Sequence, residues 1–307
     1  MRALVTGGSG FVGRRLVSAL VSRGHSVSVL ARSPTSFPEP VAVIVGDLTA
    51  KNGIGATVLS GHDVIFHCAG EKRNQPLMRK LHVEGTQRLL ELLRGPIHWV
   101  QLSSISVYGH SGPRSVESVV TEETPGSPVG EYETTKAESD QLVMTAAKLG
   151  MTYTILRPTG IIGREMTDQS LRTLVQVVRK GLFFYVGSPG AVAGYVHVDD
   201  VVDALLKCGT EPRACGQIFN LSNDCPFEEL VDGIAQAAGV RKPRLRIPEG
   251  LARLCVTALS PVFPLPLTST RIDALVNRTR YPATKIQREL SFSFRHPVPE
   301  AIGELVN

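Results

Sequence analysis

Tyr132 and Lys136 are four residues apart, and their types and spacing indicate acid–base chemistry. On a helix this spacing places both side chains on the same face. A phenol with a pKa of about 10 must lose about three pKa units, roughly 4 kcal/mol, before it acts as a base near neutrality. One ammonium about 4.5 Å away supplies about that much at an effective dielectric of about 20. Lys136 is therefore predicted to lower the pKa of Tyr132, and Ser104 is predicted to hold the reacting oxygen by a hydrogen bond.

A Tyr-x-x-x-Lys pair is common by chance. The acid–base interpretation of this pair therefore depends on a second motif near the N-terminus. Gly7, Gly10 and Gly13 follow an apolar run at residues 3–5 and precede an amphipathic segment at residues 14–22. That order predicts a strand, a glycine turn and a helix. Gly7 permits an unusual backbone conformation, Gly10 lets a diphosphate approach the main chain, and Gly13 permits close helix–strand packing. The motif predicts a dinucleotide site with the phosphates at the helix N-terminus; an ordinary glycine-rich turn is the alternative.

Apolar runs that alternate with helical segments predict the elements that position these motifs. The further predicted strands are residues 26–30, 41–45, 63–68, 97–103 and 152–156, with helices at 54–59, 77–93 and 131–149 and a functional loop at 110–130. Nearly unbroken apolar strands imply a parallel sheet that is covered on both faces. The fold class is therefore α/β, a Rossmann-type doubly wound parallel sheet in residues 1–160. Residues 161–307 are expected to form mainly a smaller, mixed C-terminal substrate lobe, with some later segments returning to the first domain.

Polar or small residues stand at the predicted carboxyl ends of the strands, where doubly wound sheets bind their ligands. Asp47 is predicted to accept a hydrogen bond from the adenine amino group; a loop or helix-cap aspartate is the alternative. Ala69 and Gly70 offer a smooth wall for the cofactor ribose. Arg32 follows the second strand, next to the position where NAD-preferring sites carry an acid. Because a guanidinium can bind a 2′-phosphate, NADP is the preferred cofactor and NAD the alternative.

The composition excludes several other classes of protein. The chain has 307 residues and a net charge of +5, and its Lys and Arg are scattered, so nucleic-acid binding is not expected. The five cysteines form no CxxC pair, which predicts reduced thiols, a cytoplasmic location and no metal site. The most apolar later stretch, residues 251–267, is broken by Arg253 and three prolines and is too short to span a membrane.

In chain order, these motifs resemble those of the extended short-chain dehydrogenases/reductases, of the NAD(P)-dependent epimerase/dehydratase superfamily. The matching pieces are Thr6 to Gly13, Gly46-Asp47-Leu48, His67-Cys68-Ala69-Gly70, Gly85-Thr86, Ser103 to Gly109, Tyr132 with Lys136, Leu156-Arg157-Pro158 and Val196 to Asp200. They run in the family's order across roughly the first two thirds of the chain.

The resemblance implies roles for individual residues. Ser104 would orient the substrate, Tyr132 would be the acid–base group, and Lys136 would be its partner and a ligand of the cofactor ribose. A small-molecule substrate and a homodimer formed through two helices are also implied. The cofactor-binding residues expected on this basis are Gly7, Ser9, Gly10, Phe11, Val12, Gly13, Arg32, Asp47, Leu48, Ala69, Gly70, Tyr132, Lys136 and Pro158.

Three positions depart from the family pattern and bear on the substrate. His82 stands where the family often has Asn, and it could instead bond the substrate. Gly160 and Ala193 stand where members that act on nucleotide sugars often carry Asn and Arg, so a diphosphate sugar is disfavoured. The chain is closer to reductases resembling dihydroflavonol reductase and 3β-hydroxysteroid dehydrogenase. The predicted substrate contacts are His82, Arg164, Tyr185 and Tyr195.

Three functions are therefore compatible with the sequence. The first is an NAD(P)-dependent oxidoreductase that moves a hydride between nicotinamide and a carbonyl or hydroxyl carbon, with Tyr132 as acid or base. The second is a nucleotide-sugar epimerase or dehydratase with a tightly bound cofactor. The third is a non-catalytic NADP-binding protein that senses redox state, although such proteins usually lose Tyr or Lys, and Tyr132 and Lys136 are both present.

Overall fold

Seven parallel strands form the central sheet in the computed structural model, which describes residues 1–38, 40–109, 113–166, 168–259 and 267–306. The strands are β1 Arg2–Thr6, β2 Ser26–Ala31, β3 Ala42–Val45, β4 Val64–His67, β5 His98–Leu102, β6 Thr152–Pro158 and β7 Gln217–Leu221. Their order across the sheet is β3-β2-β1-β4-β5-β6-β7, so the direction of winding reverses between β1 and β4. The predicted Rossmann-type fold is confirmed, and ligands of such sheets bind above this reversal.

Helices cover the sheet on both faces and continue into the C-terminal half. They are α1 Phe11–Ser22, α2 Gln75–Arg79, α3 Thr86–Glu91, α4 Glu131–Ala146, α5 Gln169–Arg179, α6 Val198–Thr210, α7 Phe227–Ala237, α8 Glu249–Leu259, α9 Ser269–Leu275, α10 Thr284–Leu290 and α11 Val298–Ala301. A π-helical turn, Lys80–Gly85, joins α2 to α3. Residues 110–112 of the predicted loop and 260–266 of the apolar stretch lie outside the described residues.

The alternation of side chains along each strand divides the core into two layers. Val5 packs on one face of the sheet with Leu16 of α1 and Leu205 of α6. Leu4 packs on the other face with Val143 of α4. Each fully buried leucine of this kind contributes about 2 kcal/mol of hydrophobic free energy. Both layers together hold the carboxyl ends of the strands in fixed positions.

Residues beyond 160 contribute to both halves of the molecule. Strand β7 adds to the edge of the sheet beside β6, and α6 covers its face. The remaining segments form a second apolar core that contains Leu171, Leu230 and Ile302. Among the described residues, no helix is long and apolar enough to cross a membrane.

His197 and Asp200 organise the start of α6 and tie it to the C-terminal tail. His197 is the N-cap, and its Nδ1 accepts the backbone N–H of Asp199 at 3.3 Å. The fully buried Asp200 carboxylate accepts the backbone N–H groups of Arg295 and His296 at 2.9 and 3.2 Å. His197 therefore acts here as a helix cap.

Candidate active site

The glycine turn between β1 and α1 has three different steric requirements. Gly7 has φ +66°, and a Cβ there would lie 2.7 Å from the backbone nitrogen of Ala69 at the end of β4. A Cβ at Gly13 would overlap the carbonyl oxygen of Gly7. A Cβ at Gly10 would meet within 4 Å only the Gly7 carbonyl oxygen, at 3.2 Å, among the described atoms. The backbone at Gly10 therefore has open space beside it, whereas Gly7 and Gly13 are packed against protein.

Helix α1 presents a bare N-terminus to this space. Gly10 is its N-cap, without a side-chain capping bond, and its first turn contains no acidic residue. Ser9 is exposed, the ring of Phe11 lies beside Gly163, and Val12 is buried in the core. Free helix N–H groups and a positive dipole end suit a phosphate. These residues therefore fit the diphosphate of a dinucleotide.

Asp47 and Leu48 follow β3 at the same edge of the sheet. The Asp47 carboxylate accepts the backbone N–H and the hydroxyl of Thr49 at 2.8 and 2.7 Å. These bonds, with a smaller contribution from the charge of Arg32, lower the pKa of Asp47. Leu48 is buried, and its carbonyl oxygen accepts from the guanidinium of Arg88 at 2.7 Å. Arg32 itself is exposed directly after β2, so its guanidinium remains open to an anionic ligand.

Ser104, Tyr132 and Lys136 meet above the carboxyl end of β5. Ser104 caps the short helix that follows β5, and its hydroxyl accepts the backbone N–H of Ser106 at 3.2 Å. Its side chain is close enough to the phenol of Tyr132, which comes from the first turn of α4, to lower the pKa of that phenol. Lys136 lies one turn further along α4, and its Nζ donates to the carbonyl oxygen of Leu102 at 2.6 Å. The three predicted catalytic side chains are therefore neighbours.

The predicted lowering of the Tyr132 pKa is wrong for this structure. Burial raises the pKa of Tyr132 to about 12, and the nearby Ser104 side chain offsets only part of this increase. Lys136 donates instead to the Leu102 carbonyl, and burial lowers its own pKa to about 8, against the opposing charge of Asp140. Tyr132 is consequently a protonated phenol at neutral pH, ready to donate a proton.

A buried ion pair between Asp140 and Arg157 lies one helical turn from Lys136. The Asp140 carboxylate accepts the hydroxyl of Ser103 at 2.8 Å and the guanidinium of Arg157 at 3.1 Å. Asp140 is 1% exposed and Arg157 9%, so removal of one partner would leave a buried charge unpaired. The Arg157 guanidinium also lies over the ring of Tyr108, 4.9 Å from its centroid. The Arg of the Leu-Arg-Pro motif thus has a structural role beside Pro158.

A directed hydrogen-bond chain connects the glycine turn to this site. The Thr86 hydroxyl donates to the carbonyl oxygen of His82 at 2.6 Å, so it must accept from His67 Nε2 at 3.0 Å. His67 Nδ1 then accepts the hydroxyl of Thr6 at 2.8 Å, and Thr6 accepts the backbone N–H of Ala69 at 3.2 Å. All three side chains, Thr6, His67 and Thr86, are almost completely buried. Sequence reasoning assigned these residues no role.

His82 is held by protein at both ring nitrogens, which corrects its prediction as a substrate contact. Its Nε2 accepts the backbone N–H of Glu71 at 2.9 Å, so Nδ1 carries the proton and donates to the Thr135 hydroxyl at 2.9 Å. Burial is the main reason why its pKa falls to about 3. The π-helical turn places the ring 5.7 Å from that of Tyr132, centroid to centroid, in an edge-on arrangement. His82 therefore positions the loop after β4 and the first turn of α4.

The other predicted substrate residues lie in different environments. Tyr185 packs in an aromatic cluster with Phe183 and Phe227, and Arg164 is exposed on the surface. The ring of Tyr195 covers Gly160, where a Cβ would lie 2.7 Å from its Cδ1. Ala193 is buried in the second core.

Lys72 is a residue at the site that sequence reasoning missed. It follows Ala69 and Gly70 after β4, and its charge lowers the pKa of Lys136, so the two ammonium groups are near each other. Desolvation lowers the pKa of Lys72, and the carboxylate of Asp168 at the start of α5 opposes this shift. Asp168 also acts on the Tyr195 phenol, whose pKa burial raises. Only the position of Lys72 shortly after β4 could have indicated that its charge acts on Lys136.

A doubly wound sheet with an open glycine turn and a bare helix N-terminus defines a dinucleotide-binding protein of the Rossmann class. The chain belongs to the NAD dependent epimerase/dehydratase family, whose model matches residues 3–222. This is an enzyme family of NAD-dependent dehydrogenases and epimerases, and the resemblance inferred from the motifs is confirmed.

Similar proteins of known activity include reductases and dehydrogenases. A 4-hydroxy-2-methyl-3-oxo-4-farnesyl-3,4-dihydroquinoline-1-oxide ketoreductase of Stigmatella aurantiaca is 28% identical over 96% of this chain and 92% of its own. A 3 beta-hydroxysteroid dehydrogenase/Delta 5-->4-isomerase of Mycobacterium tuberculosis is 28% identical over 99% of this chain and 89% of its own. The structure of MoeE5 in complex with UDP-glucuronic acid and NAD superposes with a TM-score of 0.76 at 23% identity, covering 100% and 98% of the two chains. At that identity the superposition shows the shared fold alone.

Proposed function

We propose that this protein is an NADP(H)-dependent reductase or dehydrogenase that interconverts a carbonyl and a hydroxyl on a largely apolar small molecule. The observation that supports the proposal is the proximity of the Ser104 and Tyr132 side chains above β5, with Lys136 one helical turn from Tyr132. NADPH supplies the hydride when bound. Gly10, the N-terminus of α1 and Arg32 are the groups that would hold it.

In the reductive direction the chain's own residues manage the proton. Ser104 and Tyr132 both present hydroxyls that can bond a substrate carbonyl oxygen. Because the pKa of Tyr132 is raised to about 12, the phenol stays protonated at neutral pH and donates its proton as negative charge develops on that oxygen. The ammonium of Lys136 then stabilises the phenolate that remains.

The Tyr195 ring and the relatives support the substrate class that we propose. The Tyr195 ring fills the space beside Gly160, so a longer polar side chain there would require the ring to move. This aromatic wall favours an apolar ring system over a diphosphate sugar. The ketoreductase of Stigmatella aurantiaca and the 3 beta-hydroxysteroid dehydrogenase of Mycobacterium tuberculosis bear names that specify farnesylated quinoline and steroid substrates. We extend that class, apolar cyclic ketones and alcohols, to this chain.

Consumption of added cofactor tests the proposal against the epimerase alternative. The purified protein is incubated with NADPH and either cyclic ketones or UDP-sugars, and the absorbance of NADPH is followed. A reductase consumes NADPH in equal amount to the ketone reduced, whereas an epimerase interconverts UDP-sugars without net consumption. Turnover of UDP-sugars without loss of NADPH would replace the reductase proposal by the epimerase.

Arg32→Gln is expected to reduce the affinity for NADPH by about 10- to 100-fold and to leave the affinity for NADH within about twofold. The exposed guanidinium follows β2, and only NADPH carries a 2′-phosphate for it to bind. Fluorescence titration of both cofactors measures the effect, with Arg14→Gln as a matched control on the surface of α1. Equal losses for the two cofactors would remove the argument for NADP.

Reduction is expected to be independent of pH below about 8 and to decline above it. Lys136 has a pKa lowered to about 8, so its stabilising charge is present below that pH and is lost as the pH rises through it. Tyr132 does not titrate in this interval because its pKa is about 12. The profile of kcat against pH measures this for the wild type and for Lys136→Arg, which keeps its charge and should lose the inflection. The same inflection in both proteins would assign it to another group.

A further inference from the structure

A cavity of about 340 Å³ lies at the far end of α1 from the glycine turn. It is open to solvent and is lined by residues of the turn after α1, of the last turns of α6 and of the segment 292–295. Helix α1 has 12 residues, so the cavity is about 18 Å from the helix N-terminus along its axis. The cavity is therefore separate from the proposed active site.

Positive charge exceeds negative charge in the lining of this cavity. Arg23, Lys207 and Arg295 line it, and Asp203 is the one carboxylate beside them among the described lining residues. Both Arg23 and Arg295 contact the Asp203 carboxylate, so one negative charge serves two guanidinium groups. Lys207 donates to the backbone carbonyl of Leu290 at 2.9 Å, which satisfies one of its three donors and neutralises none of its charge.

Part of the lining of the cavity is apolar. Leu206 and Phe292 line it and are 6% and 5% exposed, because both belong to the core beneath the sheet. A volume of this size lies at the lower end of the range for small-molecule pockets. The lining thus combines cationic donors with a small hydrophobic surface.

We infer that this cavity binds a small organic anion, with a phosphate or carboxylate group on the Arg23, Lys207 and Arg295 side and an apolar body against Leu206 and Phe292. Charge-assisted hydrogen bonds from guanidinium and ammonium groups hold the head group. Burial of the apolar body adds about 25 cal/mol per Å² removed from water. Neither the cofactor nor the substrate of the proposed reaction is required for this site.

Hexyl phosphate, hexanol and inorganic phosphate are the probes that test the inference. Each is titrated calorimetrically into wild-type protein with NADPH at saturating concentration, so that the phosphate probe does not enter the cofactor site. Hexyl phosphate is expected to bind with a Kd of about 1 mM or below, and the other two at least about tenfold more weakly, because each lacks one half of the interaction. No binding of hexyl phosphate, or equal binding of all three, would overturn the inference.

Variants with opposite expected effects on the affinity for hexyl phosphate test whether it binds in this cavity. Arg295→Gln and Arg23→Gln should each weaken hexyl phosphate by about tenfold, while Asp203→Asn should tighten it by freeing both guanidinium groups. The matched control is Lys148→Gln, an exposed lysine outside the cavity lining, which should leave the Kd unchanged. Melting curves verify that each variant is folded. Weakening by Asp203→Asn, or no change in both arginine variants, would show that hexyl phosphate binds elsewhere.

Discussion

Replacing Tyr132 by Phe is expected to lower kcat for NADPH-dependent ketone reduction by about 10²- to 10⁴-fold, the range typical of a general acid. The phenylalanine keeps the ring and its contact with His82 but removes the hydroxyl beside Ser104. The affinity for NADPH should change by less than about threefold, because the glycine turn and Arg32 are untouched. Stopped-flow measurement of a single turnover gives the chemical step, and fluorescence titration gives the affinity.

Tyr153→Phe is the matched control for this variant. Tyr153 lies at the start of β6, packed against the core on the α4 face rather than at the carboxyl end of the sheet. Loss of its hydroxyl should leave kcat unchanged. If Tyr132→Phe retains wild-type reduction, the assigned proton donor is wrong. If a biological activity persists in Tyr132→Phe with NADPH still bound, the non-catalytic hypothesis replaces the enzyme.

The sheet could be predicted because each of its strands is an apolar run with a turn or polar residue at its end. The order of motifs then placed Gly10, Asp47 and Ser104 at one edge of that sheet, and the structure brings them there. Residues 54–59 were expected to be helical but form turns, with Val58 and Leu59 buried. A short apolar run does not distinguish a helix from a packed turn.

The electrostatics of the site could not be predicted from spacing. The i, i+4 relation places Tyr132 and Lys136 on one face of α4, but it does not show what each group bonds. The Leu102 carbonyl, 34 residues earlier in the chain, accepts from the Lys136 ammonium, and Asp140, one turn further along α4, acts on it by charge. The pKa of Tyr132 therefore follows its burial instead of the charge of its neighbour.

His82 and Lys72 illustrate the same difficulty for substrate residues. A histidine in place of the usual Asn invites a functional interpretation, yet both of its nitrogens bond protein groups after the π-helical turn forms. Lys72 has no motif of its own, and the charge that opposes the lowering of its pKa is Asp168, which is almost 100 residues away. Contacts of this range depend on how the C-terminal segments pack on the sheet, and a local pattern does not contain that information.

Gly10→Val is expected to reduce the affinity for NADPH by at least about 100-fold, which corresponds to about 2.7 kcal/mol, while the protein remains folded. The added side chain would enter the open space at the N-terminus of α1, where it meets only the Gly7 carbonyl oxygen, at 3.2 Å, among the described atoms. It would therefore keep a diphosphate from the helix N–H groups without disturbing the core.

Gly13→Val should instead lower the free energy of unfolding by about 3 kcal/mol or more, because its Cβ overlaps the Gly7 carbonyl. Gly55→Val, which meets nothing within 4 Å, controls for the substitution itself. Fluorescence titration and thermal melting separate the two effects, and wild-type NADPH affinity in a folded Gly10→Val protein would exclude this turn as the cofactor site.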